Sequence, residues 1–305
     1  LVGTLSDGDI RRFFLSNVSH DIRIENIMNR KPKFIFEKSN IEKFRFPDTV
    51  RFLPVLNKSK QIKGLLDLNN IKPIEYQNSV LIMAGGRGER LRPFTNKIPK
   101  PMLTIGKKPH LEELVNKIKE SGFNDIIISL NYKSLIIKNH FKKKDYNLFF
   151  STEKKRLGTA GPIQLASKNK KLNFPILVIN SDLITNLNLS NLINYSEKIK
   201  YDLIMCVKEN KTQLPFAIID HKNDTVLKIQ EKPEQKYYFS TGIYVLKKDM
   251  LNLIPKNKKF DMPDLIKKGL TKNKKIKSFF MYENWLDFGT KKNLITAKKM
   301  YLKII

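Results

Sequence analysis

A single cysteine, Cys206, in 305 residues leaves no internal disulfide to draw. It lies in the apolar run Leu203-Ile204-Met205-Cys206-Val207, which predicts a buried strand residue rather than a reactive thiol. No apolar stretch approaches the roughly 18–20 residues of a membrane span. The start of the chain has no charged segment followed by an apolar one, so the expectation is a cytoplasmic protein without a membrane partner. Acidic residues are scarce: 29 Asp and Glu stand against 58 Lys and Arg, a formal charge of +29. Such a balance ordinarily points to nucleic acid or an anionic surface. Here nearly all of the positive charge is lysine, spread along the chain beside abundant Asn and Ile, a trio with AT-rich codons. Runs such as Lys142-Lys143-Lys144 alternate with apolar positions, as solvated faces do. With no stacking platform or groove-entering motif, no nucleic-acid partner is expected. What is present, 41% hydrophobic and 10% aromatic residues, suffices for about two folded domains.

The chain opens inside a strand-like run, Leu1-Val2-Gly3-Thr4-Leu5, without an initiating Met, so further sequence is expected ahead of it. Ser6-Asp7-Gly8-Asp9 leads into a helical stretch through Leu15, followed by strands over 33–36, 52–56 and 62–66 and a helical segment over 41–46. A polar, aperiodic segment holding Pro73 sets a boundary, with domains at 1–71 and 79–305 and a linker at 72–78. From Ser79 onward the pattern changes. Val80 to Ala84 is continuous and apolar, a strand buried on both faces. Helical spacing over 110–121 ends at Gly122. Strands over 126–130 and 176–179 bracket a helix over 135–141, and Pro175 stands where a missing N–H is tolerated. This alternation predicts an α/β domain of three layers with a largely parallel sheet. Closely spaced strands over 216–220, 226–230 and 238–246 predict an antiparallel extension, making the sheet mixed, before a last helix over 293–304. There is no internal repeat after residue 79 and no hexapeptide repeat at the C-terminus.

The most informative stretch is Met83-Ala84-Gly85-Gly86-Arg87-Gly88-Glu89-Arg90-Leu91-Arg92-Pro93-Phe94-Thr95-Asn96-Lys97-Ile98-Pro99-Lys100-Pro101. It leaves a buried strand through glycines, which let backbone N–H groups approach phosphates closely. A dinucleotide fingerprint would need glycine where Leu91 stands, and a Walker loop would need Gly-Lys-Ser/Thr. The run of cations and prolines after the glycines resembles instead the signature of the sugar-1-phosphate nucleotidyltransferases, GxGxRLxPxTxxxPKP. The resemblance continues in the family's order through Leu157-Gly158-Thr159-Ala160-Gly161, Asn180-Ser181-Asp182, Glu231-Lys232-Pro233, Thr241-Gly242-Ile243-Tyr244 and Trp285-Leu286-Asp287-Phe288-Gly289-Thr290. It implies a Rossmann-like catalytic domain over 79–305.

The chemistry accounts for these residue types. The family joins two polyanions, so their repulsion and the charge on the leaving oxygens must be met by positioned cations. By the resemblance, Arg90 and Lys100 are catalytic, one able to fork onto phosphate and the other a point charge. Ala84, Gly85, Gly86, Gly88, Gly158 and Asp182 would bind the nucleotide, Gly158 beside the base. Lys232, Glu231, Ala217 and Gly242 would bind the sugar phosphate. Asp182 and Asp287 would hold Mg²⁺, which takes few protein oxygens and completes its shell with water and phosphate. Arg87 reads as a solvated loop cation and the four histidines as structural or surface residues. Ser181, Ala217 and Ser240 depart from the glycine, glycine and asparagine usual in the family.

Residues 1–71 resemble an α+β pair of CBS modules whose first copy is incomplete. Ser6 and Asp9 would then touch an adenine nucleotide, although both also fit a helix-capping pattern. The second copy has Asp67 and Asn70 at these positions. This arrangement is similar to that of glucosamine-1-phosphate and mannose-1-phosphate guanylyltransferases. The resemblance therefore implies a homo-oligomeric enzyme using GTP, first with glucosamine 1-phosphate and alternatively with mannose 1-phosphate or another nucleotide–sugar pair. A non-catalytic nucleotide-sensing protein is the reading from a different class.

Overall fold

The computed structural model describes residues 1–15, 23–37, 39, 50–68, 75–144 and 146–304. In chain order the first elements are α1 (Asp7–Leu15), β1 (Ile35–Phe36), β2 (Phe52–Leu56), β3 (Ile62–Asp67), β4 (Val80–Met83), α2 (His110–Glu120), β5 (Ile126–Leu130), α3 (Ser134–Lys142), β6 (Leu148–Thr152), α4 (Gly161–Asn169) and β7 (Ile176–Asn180). There follow β8 (Leu183–Thr185), α5 (Leu189–Glu197), β9 (Leu203–Gln213), β10 (Ile218–Lys222), β11 (Thr225–Gln230), β12 (Glu234–Leu246), α6 (Lys248–Leu251), α7 (Met262–Thr271), β13 (Ile276–Phe280), β14 (Trp285–Asp287) and α8 (Lys291–Ile304). Among the described residues no helix is long and apolar enough to cross a membrane.

The chain divides into two compact units. One gathers Leu1–Gln77, Lys117–Asn124 and Asn188–Lys200. Its helix α1 begins in a reciprocal cap: the Ser6 N–H and Oγ both donate to Asp9 Oδ2, at 2.8 and 2.5 Å, and the Asp9 N–H returns to Ser6 Oγ at 3.3 Å. The strand expected over 1–5 does not form. Thr4 makes only an isolated bridge to Asn29, because the facing chain is curled into a 3-10 turn at Ile24–Asn26. Strands β1, β2 and β3 form a small sheet in that order, parallel then antiparallel, with Leu53 and Leu56 buried. Tyr76 stacks on Phe123 at 4.6 Å and donates to Asn194 Oδ1 at 3.2 Å. The helix expected over 41–46, residues 72–74 of the linker and Asn70 lie outside the described residues.

The other unit holds Asn78–Asn116, Asp125–Leu187 and Tyr201–Ile305. Its seven-stranded sheet has the order β13-β9-β12-β7-β4-β5-β6. Central β4 pairs in parallel with β5 and β7, and Val80, Leu81 and Ile82 have no exposed surface, as an uninterrupted apolar run requires. The antiparallel strands do not simply extend one edge: β12 runs inside the sheet, antiparallel to both β7 and β9, while β10 and β11 form a separate ribbon. Local pattern cannot reveal that insertion, since the pairing partners are remote in sequence. Ile163 and Ala166 of α4, Met250 of α6 and Leu265 of α7 share one core with Leu81, Val178 and Tyr244. A smaller cluster of Leu91, Leu103, Phe288, Leu294 and Ala297 joins the loop after β4 to α8. Cys206 is fully buried in β9, as expected.

Candidate active site

The loop leaving β4 turns at Gly88 into a 3-10 turn, Glu89–Leu91, and Thr95 Oγ1 holds that turn by donating to the Gly88 carbonyl at 2.8 Å. Beyond a second 3-10 turn at Phe94–Asn96, Lys100 opens a third, Lys100–Met102, with only 8% of its surface exposed. Asp182 follows β7, and β8 pairs antiparallel with β14, so that Leu183 stands opposite Asp287. The Phe288 N–H donates to the Asp182 carbonyl at 3.2 Å. Two carboxylates more than a hundred residues apart are thereby brought together, Asp287 at the end of β14 and Asp182 just ahead of β8. The Lys100 ammonium lies between them: it donates to Asp182 Oδ2 and is 3.6 Å from Asp287 Oδ1. The Phe288 ring stands 5.4 Å from this nitrogen and shields the lysine stem. Arg90 completes the group. A methyl on Gly289 would fall 2.9 Å from Asp287 Oδ1, 3.0 Å from Lys100 Nζ and 3.3 Å from Arg90 Nη2, so three charged ends converge around this glycine.

Beside these charges is a cavity of about 260 Å³ lined by Gly85, Gly86, Lys100, Gly158 and Asp182, all expected from the sequence. Glu153, Arg156, Asn180 and Asp261 also line it, and sequence reasoning assigned none of them a binding role. One signal was available for Glu153. It follows the end of β6 as Asp182 follows β7, and groups at the carboxyl ends of parallel strands are those that meet ligands. Burial raises the Glu153 carboxyl above its ordinary range, against the lowering effect of the Leu157 N–H at 2.9 Å, the Ser129 hydroxyl at 3.2 Å and nearby Arg156.

The loop carrying Gly158 is clamped by residues 258–262. The N–H groups of Ala160 and Gly161 donate to the Phe260 carbonyl at 2.9 and 3.0 Å, and Phe260 N–H donates to the Leu157 carbonyl at 2.9 Å. Asp261 Oδ1 accepts from the Thr159 N–H at 2.9 Å while Asp261 also caps α7. Gly158 has φ +83°, and a Cβ there would lie 2.6 Å from the Phe260 carbonyl oxygen, so the turn demands glycine.

The remaining expected residues are placed as follows. Ala84 is buried under the loop, and Gly88 abuts Thr95 and Lys100. Gly242, φ +80°, sits in the β12 irregularity between Ser240 and Tyr244, against the Asn180 side chain beside Asp182. Ala217, Glu231 and Lys232 are not among the cavity's lining residues; they flank the β10–β11 ribbon, where Glu231 and Lys232 are exposed. Arg87 is exposed and 3.9 Å from Glu89, the solvated cation its position predicts. Ser6 and Asp9 bind each other at the start of α1.

The magnesium ion that the family resemblance implies fits the donor set. Asp182 and Asp287 present hard oxygens gathered about one cationic nitrogen. Among the described residues no cluster of three or more His, Cys, Asp or Glu suited to a metal is found, and Mg²⁺ takes few protein oxygens.

Mannose-1-phosphate guanyltransferase of Pichia angusta is 30% identical over 239 residues, 74% of this chain and 64% of that protein's length. That of Saccharomyces cerevisiae is 30% identical over 236 residues, 73% of this chain and 64% of its own. The chain thus spans less than two thirds of the curated relatives it matches. The crystal structure of HddC from Yersinia pseudotuberculosis is similar with a TM-score of 0.58 at 28% identity, covering 73% of this chain and 99% of that one. The family model for nucleotidyl transferases matches residues 79–304, the segment holding every charged group of this site, and the chain belongs to that family.

Proposed function

We propose that the chain transfers a nucleoside monophosphate from a nucleoside triphosphate to a sugar 1-phosphate, releasing pyrophosphate and a nucleotide sugar, with GTP as the nucleotide. The observation that carries this reading is the convergence of Arg90, Lys100, Asp182 and Asp287 beside the glycine-lined cavity. A phosphate oxygen of the sugar 1-phosphate attacks the α-phosphorus; the bond from that phosphorus to the bridging oxygen breaks, and pyrophosphate leaves with the electron pair. The attacking oxygen is already ionised, so no general base is required. Arg90 and Lys100 neutralise the two polyanions and the charge growing on the leaving oxygens. Asp182 and Asp287 would hold Mg²⁺, which supplies further charge neutralisation when bound.

Glu153 supports guanine. An ionised carboxylate only accepts hydrogen bonds, and guanine alone offers two adjacent donors, N1–H and the exocyclic amine, along one edge. Uracil and thymine offer one donor between two acceptors. HddC, whose structure has also been solved in complex with GMP-PN at 27% identity and a TM-score of 0.57, agrees with that choice. The names of the curated relatives favour mannose 1-phosphate over the glucosamine 1-phosphate expected from domain arrangement. The exposed Glu231 and Lys232 would meet the sugar phosphate. For residues 1–71 we retain the CBS-like reading, which a calorimetric titration with AMP and ATP tests. The decisive experiment for the catalytic reading is pyrophosphate release over four nucleoside triphosphates and a panel of sugar 1-phosphates with Mg²⁺. GTP with mannose 1-phosphate is expected to be the fastest pair, and no turnover with any pair would sink the reading.

A further inference from the structure

His110 has no proton to transfer in this reaction, yet it is buried, at 6% exposure, behind the converging charges. Its backbone N–H donates to the Leu103 carbonyl at 3.1 Å, three residues beyond Lys100. Its ring nitrogen Nε2 lies 3.0 Å from the carbonyl oxygen of Leu183, the neighbour of Asp182. Its ring stands edge-on to Phe288, the neighbour of Asp287, with centroids 4.8 Å apart and planes at 80°. The same Phe288 ring supports the Lys100 ammonium. A carbonyl only accepts, so Nε2 carries the hydrogen in this contact.

The strand register explains why Leu183 has a carbonyl to offer. Leu183 faces Asp287, and the Phe288 N–H bonds the Asp182 carbonyl. That places Leu183 and Asp287 in a non-hydrogen-bonded pair, whose carbonyls point out of the ladder. The imidazole therefore grips β8 by a hydrogen bond and the residue after β14 by packing, with one rigid ring.

We propose that His110 is a positioning residue: from behind the strands it sets the separation and orientation of Asp182 and Asp287, and so of the cation they bind, without touching substrate. The inference rests on the reading of those two carboxylates as the Mg²⁺ ligands. Groups that orient metal ligands in this way change metal affinity or activity by about 10–100-fold when removed.

The test compares the full chain with its His110→Phe and His110→Gln variants. The first keeps a ring against Phe288 and loses the donor; the second keeps an N–H at similar reach and loses the ring. Mn²⁺ binding is followed by electron paramagnetic resonance in the presence of a non-reacting GTP analogue, and the Mg²⁺ dependence of pyrophosphate release is measured beside it. His110→Phe is expected to weaken metal binding about 10–100-fold with unchanged circular dichroism, and His110→Gln to recover most of it. Should His110→Phe not fold, His110→Leu carries the same comparison. Wild-type metal binding in the donor-less variant, or equal loss in both variants, would overturn the inference alone. Pyrophosphate release by the wild type without any divalent cation would overturn the metal reading, and this inference with it.

Discussion

At the proposed nucleotide end of the site the charged groups already hold one another. Lys100 touches Asp182, and Glu153, 7% exposed, is fixed by the Leu157 N–H and the Ser129 hydroxyl. At the proposed sugar end the side chains of Glu231 and Lys232 are 72% and 59% exposed and lie 3.9 Å from each other, while every residue of neighbouring β11 is exposed. The first is ordered by the fold; in the proposed reading the second, beside the separate β10–β11 ribbon, is ordered by its substrate. A group held in place before substrate arrives acts mainly on the transition state, and one recruited by the substrate acts mainly on binding.

The sharpest way to break this contrast is at Asp182. Asp182→Asn should lower Mg²⁺-dependent pyrophosphate release by about 10²–10³-fold, the scale of losing one electrostatic transition-state group, with unchanged circular dichroism. Near-normal turnover would remove Asp182 from the metal site. At the opposite end, Lys232→Ala should raise KM for the sugar 1-phosphate about tenfold while kcat and KM for GTP stay put, as expected for one lost charge-assisted contact. A fall in kcat with KM constant would show that Lys232 is as preorganised as Lys100. Gly158→Ala probes the rigidity of the nucleotide wall: at φ +83°, with the Phe260 carbonyl in the way, it should cost about 1–3 kcal/mol, seen as a lower midpoint in urea and weaker GTP binding. An unchanged midpoint would mean that the clamped loop yields.

The smallest expected effect concerns Glu153 and pH. Its folded-state carboxyl binds its proton more tightly than the ordinary value of 4.5, because it is buried. Between 4.5 and that raised value the native state holds more protons than the unfolded one, so this group's contribution to stability declines as pH rises through the window. The melting temperature of Glu153→Gln, relative to wild type, should therefore move upward as pH rises from 4 toward 7. The same variant should shift nucleotide preference from GTP toward UTP, since an amide offers one acceptor and one donor. A pH-independent difference would sink the burial argument, and retained GTP preference the base-reading one.

How much of this was legible beforehand differs between the same two ends. The glycine loop, Lys100, Asp182 and Asp287 could be read because each lies in a short run that resembles a motif of the family. Glu153 and Asp261 could not. Each looks locally like an ordinary strand end or helix cap, and they face one cavity only through tertiary pairing of β6 with β5 and of Thr159 with Asp261. The alternation of strands and helices announced the α/β unit. The placement of β12 within the sheet was hidden because it depends on pairings with β7 and β9 that no local period encodes. Ser6 and Asp9 carried two meanings in the sequence, and the structure displays the capping one.

The clamp on the Gly158 loop bears on the protein's assembly. Thr159 and Asp261 are separated by 102 residues, so the nucleotide wall is closed by a segment synthesised long after the glycines of its floor. Contacts of such sequence separation form late, after the entropy of closing the intervening chain has been overcome. A ribosome-bound chain ending before Asp261 would carry the loop after β4 and both Lys100 and Asp182, yet lack the groups that hold Gly158 in its turn. In the proposed reading, the turn that presents Gly158 to the nucleotide thus waits for the segment carrying Asp261.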